Sequence, residues 1–227
     1  MQQGERLADG ATRHTLVFPA KSGPVSLDQI NDADRIALRE LAMGRHSIVD
    51  VGTFLGGSAE VMLESMPTDG RLITVDTFRG TAGGGATATV QPEAMLAYAI
   101  GRLQRFGDRA SIVIGYSRQV AAWFAPASVD LVFLDAAHDY ANVKADIEAW
   151  LPVVKPDGLL AGHDFDRVPF KSIDAATIVA RSEQDWDQDS GVHYGVVRAV
   201  NEGFTHLAFP NDAGSSVWGA RPEWKRT

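Results

Sequence analysis

The chain of 227 residues contains no cysteine, which excludes disulfides, thiolate metal sites and a cysteine nucleophile. Any metal must therefore be held by oxygen or imidazole ligands. Positive charge is also scarce: 21 Lys and Arg stand against 29 Asp and Glu, a net charge of -8. A broad nucleic-acid or anionic-membrane surface needs clustered basic residues, so neither partner is expected and a small molecule is. No run approaches the roughly 20 apolar residues of a membrane span, and "MQQGERLADGATRHTLVF" lacks the basic start and apolar stretch of a signal peptide. These absences point to a cytoplasmic location. Internal repeats are lacking as well, and the one biased segment is the Gly-rich "RGTAGGGATATVQPE" from Arg79 to Glu93, read as a mobile loop.

What is present is ordinary globular composition, 45% hydrophobic and 22% charged, enough for one large domain with a real core. Residues 26–43 place Leu27, Ile30, Ile36, Leu38, Leu41 and Met43 on a mostly helical rhythm before Gly44. Then strands and helices alternate. "HSIVDVG", "RLITVDTF", "ASIVIGYS", "VDLVFLDAA" and "GLLAGHDF" read as strands, with "SAEVMLESM", "EAMLAYAIGRLQRFG", "QVAAWFA" and "YANVKADIEAWLPVV" as the intervening helices. The pattern loosens after Asp166; a short helix "GVVRAVNEG" precedes "THLAFP" and "SSVWGAR", which suit an antiparallel hairpin joined by "PNDAG". The expected fold is α/β: a Rossmann-like, doubly wound, mostly parallel seven-stranded sheet with helices on both faces and a closing hairpin. It is expected as a single domain over 1–227, comprising an N-terminal extension and helix (1–43), a cofactor-binding core (44–166), and a substrate-side insert with closing strands (167–227). In such sheets ligands bind beyond the carboxyl ends of the strands, so the residues just after each strand carry the chemistry.

The first strand ends in Asp50, and the turn runs through Gly52, Thr53, Phe54, Gly56 and Ser58 into a helix. Glycine there lets backbone approach a ligand closely. No Lys follows the last glycine, so this is no Walker loop, and Phe54 occupies the place of the second glycine in a dinucleotide fingerprint. A tight strand-to-helix connection with no ligand remains the plain alternative. Asp76 ends the next strand about one βα unit later, where a carboxylate can accept from both ribose hydroxyls of NAD or S-adenosylmethionine. Two further strand ends offer "FLDAAHDY", with Asp135, His138 and Asp139, and "AGHDFD", with His163, Asp164 and Asp166. Carboxylates at those places can ligate a hard cation, and an imidazole can act as general base. A helix start, a cap and plain loop are the structural alternatives for His138, Asp164 and Asp166.

Taken together, "VDVGTFLGGS", "ITVDTF", "IVIGYS", "VDLVFLDAAHDY" and "LPVVKPDGLLAGHDF" resemble the class I S-adenosylmethionine-dependent methyltransferases, in particular the subgroup of catechol, caffeoyl-CoA and bacterial sugar O-methyltransferases. The matching segments span about Ile48 to Phe165. The resemblance implies that Asp50, Gly52, Thr53 and Phe54 line the methionine end of the cofactor, with Gly56 and Ser58 nearby. It places Asp76 on the ribose, Thr77 and Phe78 against the adenosine, and Ser117 and Arg118 beside the adenine. Asp135 sits both at the cofactor and in the metal set, completed by His163 and Asp164. Metal-dependent members carry Asp-Asn, Asp-Asp or Glu-Asp at that last pair, whereas this chain has His-Asp, and imidazole suits a transition metal better than Mg²⁺. The family's base follows the first metal Asp by three residues, the position of His138.

The implied activity is methyl transfer from S-adenosylmethionine to a hydroxyl of a small molecule, a catechol or a sugar-bearing secondary metabolite, assisted by a divalent cation (Mg²⁺ or a transition metal) and by His138. The Gly-rich stretch and "EQDWDQDSGVHYG", with Trp186, His193 and Tyr194, are placed to cover the acceptor. A homo-oligomer is compatible with the sequence. Two rivals are a cofactor-binding protein of this fold without methyltransferase activity and a nicotinamide-dependent oxidoreductase, against which the missing second glycine and Asp50 both count.

Overall fold

A computed structural model describes residues 30–80, 91–167, 173–210 and 214–227, together with the backbone of 2–6, 12–16 and 25–26. The expectation of a mobile Gly-rich loop falls mostly on residues 81–90, and the position of Leu27 and most of the "PNDAG" turn likewise lie outside the described residues. Near the N-terminus β1 (Gln2–Arg6), β2 (Thr12–Leu16) and β3 (Val25–Ser26) form a small antiparallel sheet that the sequence pattern does not announce.

The first helix, α1 (Asp32–Ala42), begins later than the apolar rhythm suggests, because Asn31 caps it by accepting from the Asp34 N–H at 2.9 Å. Ile30, Leu38 and Leu41 are buried, but Ile36 and Met43 face solvent. The main sheet follows, with β4 (Ser47–Val51), β5 (Arg71–Asp76), β6 (Ala110–Ile114), β7 (Val129–Leu134), β8 (Val154–Gly162) and β9 (Trp218–Ala220) in the spatial order β6-β5-β4-β7-β8-β9. The first five are parallel, and β9 runs antiparallel to β8.

The expected seventh strand is absent from this sheet among the described residues. Residues 205–210 pair with β9 only at Ala208, which exchanges two hydrogen bonds with Gly219 at 2.7 and 2.8 Å. Two residues on, Pro210 has no N–H to give, which halts a ladder. The predicted hairpin is thus reduced to one strand and one bridge.

Helices cover both faces of the sheet, as parallel connections require. On one side α1, α2 (Gly57–Ser65) and the end of α3 (Pro92–Leu103) bury Leu38, Met62, Leu63 and Leu103 against Ile48, Leu131 and Phe133. On the other, α4 (Ser117–Ala121), α5 (Tyr140–Trp150) and α7 (Tyr194–Gly203) bury Val120, Ile147, Trp150 and Val200 against Val49, Val132 and Leu160. A short α6 (Ala175–Arg181), not read from the sequence, precedes α7. Chain direction reverses its lateral progress between β4 and β7, since β5 lies on one side of β4 and β7 on the other, and a crevice opens at their carboxyl ends. No helix among the described residues is long and apolar enough to cross a membrane.

Candidate active site

A cavity of about 500 Å³ occupies that crevice. Its wall includes Gly52, Phe54, Asp76 and Thr77 on one side, Ser117 and Arg118 at the start of α4, and Asp135 after β7. These seven are the predicted cofactor residues that the fold brings together. Asp50, Thr53, Gly56, Ser58 and Phe78 are not on the cavity wall.

Each exception has a physical reason. Asp50 is fully buried beneath the turn, accepting from the Ser58 hydroxyl at 3.0 Å and the Thr74 hydroxyl at 2.8 Å, while Thr53 and Thr74 share a hydroxyl bond of 2.6 Å. This knot ties α2, β5 and the turn to the end of β4, and it consumes the side chains of Thr53 and Ser58. Gly56 takes the left-handed conformation at the start of α2 (φ 79°), and Phe78 packs with Leu55, Met95 and Ala99. Gly52 does line the cavity, but its φ of 104° serves the protein first. A Cβ there would lie 1.8 Å from the Asp135 carbonyl oxygen. The glycine thus lets the ends of β4 and β7 close on one another, where the Asp135 N–H donates to the Val51 carbonyl at 2.8 Å.

Burial pushes the Asp50 carboxyl up to about 7. Because its folded pKa is raised above the ordinary 3.8, its contribution is fully present below about pH 4 and is lost as pH rises through 7. Asp50→Asn removes that loss. The variant is expected to be more stable than the wild type at pH 8, by on the order of a few kcal/mol, with a flatter stability profile between pH 4 and 7 in urea titrations. An equally steep profile in the variant would show that Asp50 does not carry the slope.

Asp76 stands on the cavity wall at the end of β5. Its two carboxylate oxygens accept from the Phe54 N–H at 2.8 Å and the Phe78 N–H at 2.7 Å, and burial raises its pKa in spite of those bonds. Both donors have positive φ, 44° and 52°, so the backbone on either side is bent to hold this carboxylate. Ser117 is committed elsewhere: it accepts from the Trp150 indole at 2.9 Å and donates to Asp146 at 2.8 Å. Asp146, whose carboxyl burial raises to about 6, lines the cavity in its own right.

Beside Asp135 the crevice deepens into a cluster of imidazoles and carboxylates. A void of about 20 Å³ lined by His138 and His163 adjoins the main cavity through Asp135 and Asp146, which line both. His163 Nδ1 lies 3.1 Å from Asp164 Oδ1 and 3.9 Å from Asp135 Oδ1. His138 Nε2 lies 3.0 Å from Asp164 Oδ2 and 3.9 Å from Asp135 Oδ1, yet makes no aligned hydrogen bond. Its other nitrogen, Nδ1, is held by Asp185 at 3.1 Å. The His138 backbone N–H donates to the same carboxylate at 3.2 Å, and Gly195 of α7 packs so closely that a Cβ would lie 2.2 Å from the His138 carbonyl oxygen.

The electrostatics follow from this crowding. Burial disfavours the charged imidazoles, but Asp135, Asp164 and Asp185 overcome it at His138, and Asp164, Asp135 and Asp34 overcome it at His163, so both rings have pKa values well above the ordinary. Burial likewise opposes ionisation of Asp164, and the two imidazoles reverse that and hold it well below the carboxylate range. Asp164 itself is left-handed at φ 59°. The trio Asp135, His163 and Asp164 presents ligand atoms within 4.8 Å of one another. Two carboxylate oxygens and an imidazole nitrogen so placed are a donor set that fits a divalent cation.

Two members of the cluster, Asp34 and Asp185, escape sequence reasoning, and a third, His193, takes a place there that the sequence does not show. Asp34, from α1, lies 3.1 Å from His163 Nε2 and accepts from the Ser215 hydroxyl and Ser216 N–H. Asp185 comes from the segment before α7. His193, read from the sequence as covering the acceptor, lies with its ring tilted against that of His138, centroids 4.8 Å apart. Of its companions, Tyr194 is buried and Trp186 lies off the main cavity, whose wall is formed there by Glu183 and Asp185. No motif marks Asp34 or Asp185, because both act through tertiary contacts to residues more than 40 positions away.

The decisive comparison is with protein families: a methyltransferase domain family matches residues 49–165, from β4 to just past β8. The chain belongs to that family. It is a class I S-adenosylmethionine-dependent methyltransferase, as its motifs imply. No curated protein matches the sequence significantly. Among solved structures, a Corynebacterium glutamicum protein is 18% identical with a TM-score of 0.58, over 85% of this chain and 81% of its own. The Streptomyces achromogenes O-methyltransferase TomG, involved in tomaymycin synthesis and solved with SAM, is 17% identical (TM-score 0.54, 84% and 79% covered). A Bacillus cereus O-methyltransferase solved with SAH is 16% identical (TM-score 0.54, 85% and 82% covered). At these identities the methyltransferase shares a fold with them.

Proposed function

We propose that this methyltransferase transfers the methyl group of S-adenosylmethionine to one hydroxyl of a vicinal diol, a catechol or a sugar on a small metabolite. The observation that carries the reading is the double membership of Asp135, which lines the donor-sized cavity and belongs to the cation trio. Donor and acceptor are thereby drawn to one carboxylate.

The cavity's charge supports this donor over a dinucleotide. Among the described residues, Asp76, Asp135, Asp139, Asp146, Glu183 and Asp185 line it against the single guanidinium of Arg118. That field attracts a sulfonium and an ammonium and repels a pyrophosphate. The neighbours solved with SAM and with SAH agree with it.

Methyl transfer is an in-line displacement at the sulfonium carbon, and alignment of the two reactants can supply about 7–11 kcal/mol of the barrier. Asp76 fixes the ribose, and the wall from Gly52 to Asp135 fixes the sulfonium end. Asp135, His163 and Asp164 would hold the divalent cation, which supplies Lewis acidity that lowers an acceptor hydroxyl's pKa. His138 Nε2, with Nδ1 anchored on Asp185, receives the acceptor proton. Charge balance links these roles, because two of the three carboxylates that raise the His138 pKa, Asp135 and Asp164, are the ones a cation would neutralise.

The test is incubation with methyl-labelled S-adenosylmethionine and a panel of catechols, flavonoids and glycosylated metabolites in the presence of Mg²⁺ or Mn²⁺. Label is expected in acceptors with adjacent hydroxyls and not in their mono-hydroxyl counterparts. Donor binding without transfer to any diol would favour a cofactor-binding protein.

A further inference from the structure

A second group of ligand atoms adjoins the first. His138, Asp164 and His193 also present donors within 4.8 Å of one another. We propose that these three residues form a second cation position, sharing Asp164 with the Asp135–His163–Asp164 trio, that takes a borderline transition ion and inhibits the enzyme when filled.

The two positions are chemically unlike. The first offers two carboxylates and one imidazole. The second offers two imidazoles and one carboxylate, a donor set that favours Zn²⁺, Co²⁺ or Ni²⁺ over Mg²⁺. Both imidazole atoms of the second, His138 Nε2 and His193 Nδ1, are buried and lack a hydrogen-bond partner. In a folded protein such nitrogens are rarely left so. His138 Nε2 is 3.0 Å from Asp164 Oδ2, and His193 Nδ1 is 3.6 Å from Asp164 Oδ1. Donors around a tetrahedral Zn²⁺ with bonds near 2.1 Å stand about 3.4 Å apart; the two contacts, made to different oxygens of Asp164, bracket that spacing, and one atom from each residue already lies within 4.8 Å of the others. Asp166 Oδ2, 3.5 Å from His193 Nδ1, is a further oxygen within reach.

The scaffold already holds these side chains. His138 Nδ1 is anchored by Asp185, so Nε2 is the nitrogen free to bind. The His193 backbone N–H donates to Asp166 at 3.0 Å, and the residue immediately precedes α7, whose Gly195 packs against the His138 loop. A carboxylate on the second nitrogen of a ligating imidazole, as Asp185 is for His138, is the usual support of such sites.

Inhibition follows because one nitrogen cannot serve twice. His138 Nε2 bonded to a cation has no lone pair to accept a proton. This part of the inference rests on the base role proposed above, whereas the site itself does not. A bell-shaped response to transition metal is therefore expected, with the oxygen-rich position supporting transfer and the imidazole-rich one stopping it.

The experiment is equilibrium binding of Zn²⁺ to metal-stripped protein, counted by elemental analysis after gel filtration, and run in parallel with methyl transfer at fixed Mg²⁺. Wild type is expected to hold two Zn²⁺ per chain, and His193→Ala and His193→Asn one each, with unchanged circular dichroism as the folding control. Zn²⁺ should lower the Mg²⁺-supported rate of the wild type at least tenfold. In the His193 variants, measured against their own Mg²⁺-supported rates, that inhibition should vanish. One Zn²⁺ per chain in the wild type, or two in both variants, would overturn the second position. Two ions in the wild type and one in the variants, with no inhibition, would retain the position, overturn the inhibition and count against His138 as the base. If no acceptor is ever methylated, the stoichiometry still decides the site.

Discussion

His138→Ala is expected to lower kcat by about 10²–10⁴-fold while leaving S-adenosylmethionine affinity within a fewfold of wild type. The separation arises from position. His138 is not on the wall of the main cavity; it sits behind Asp135, in the small void shared with His163. Removing its ring takes no residue from the donor cavity's wall, where Asp185 keeps its bond from the backbone N–H of residue 138, whereas the acceptor's proton loses its destination. The loss should be in kcat, because an interaction made only as the proton departs does not hold the ground state. Titration calorimetry for the donor and initial rates for transfer give the two numbers. Transfer at the wild-type rate would remove His138 from the reaction, and a parallel loss of donor affinity would make it a structural residue.

Gly52→Ala is expected to destabilise the fold by about 3 kcal/mol or more, a magnitude that belongs to backbone conflicts and not to lost ligand contacts. The added Cβ would stand 1.8 Å from Asp135 O, 2.4 Å from Asp135 C and 3.0 Å from Ala136 N, all backbone atoms that cannot rotate away. A φ of 104° adds strain for any L side chain. Relief requires parting the ends of β4 and β7, breaking the bond from Asp135 N–H to the Val51 carbonyl and shifting Asp135 itself. Donor affinity and any cation affinity should therefore fall together in whatever protein still folds. Urea denaturation within 1 kcal/mol of wild type would show that the glycine is there for the ligand alone.

This reassignment of Gly52 shows where sequence reading succeeds. Apolar runs ending in Asp50, Asp76 and Asp135 name three adjacent strands and the level at which the crevice opens, since an acid at the end of a buried strand is placed there by the sheet. The same reading puts His138, His163 and Asp164 near Asp135, because strand order alone brings β7 and β8 together. It fails where side-chain direction decides. Asp50 ends its strand pointing into the interior, towards Ser58 and Thr74, while Asp76 ends the next one at the cavity. It fails also where partners come from distant elements, as Asp34 and Asp185 do. The seventh strand was misread for a local reason, since the apolar pattern of residues 205–210 is present but Pro210 and a single paired residue leave no ladder.

The proposed function joins the donor cavity to a working cation site through Asp135. Its most direct measurement is the rate of label transfer from S-adenosylmethionine to a vicinal-diol acceptor, taken after exhaustive chelation and again after Mg²⁺ or Mn²⁺ is restored. At least a hundredfold fall is expected on chelation, with recovery on restoration and no recovery in Asp135→Ala. Full activity in the chelated wild type, with Asp135→Ala equally active, would contradict it.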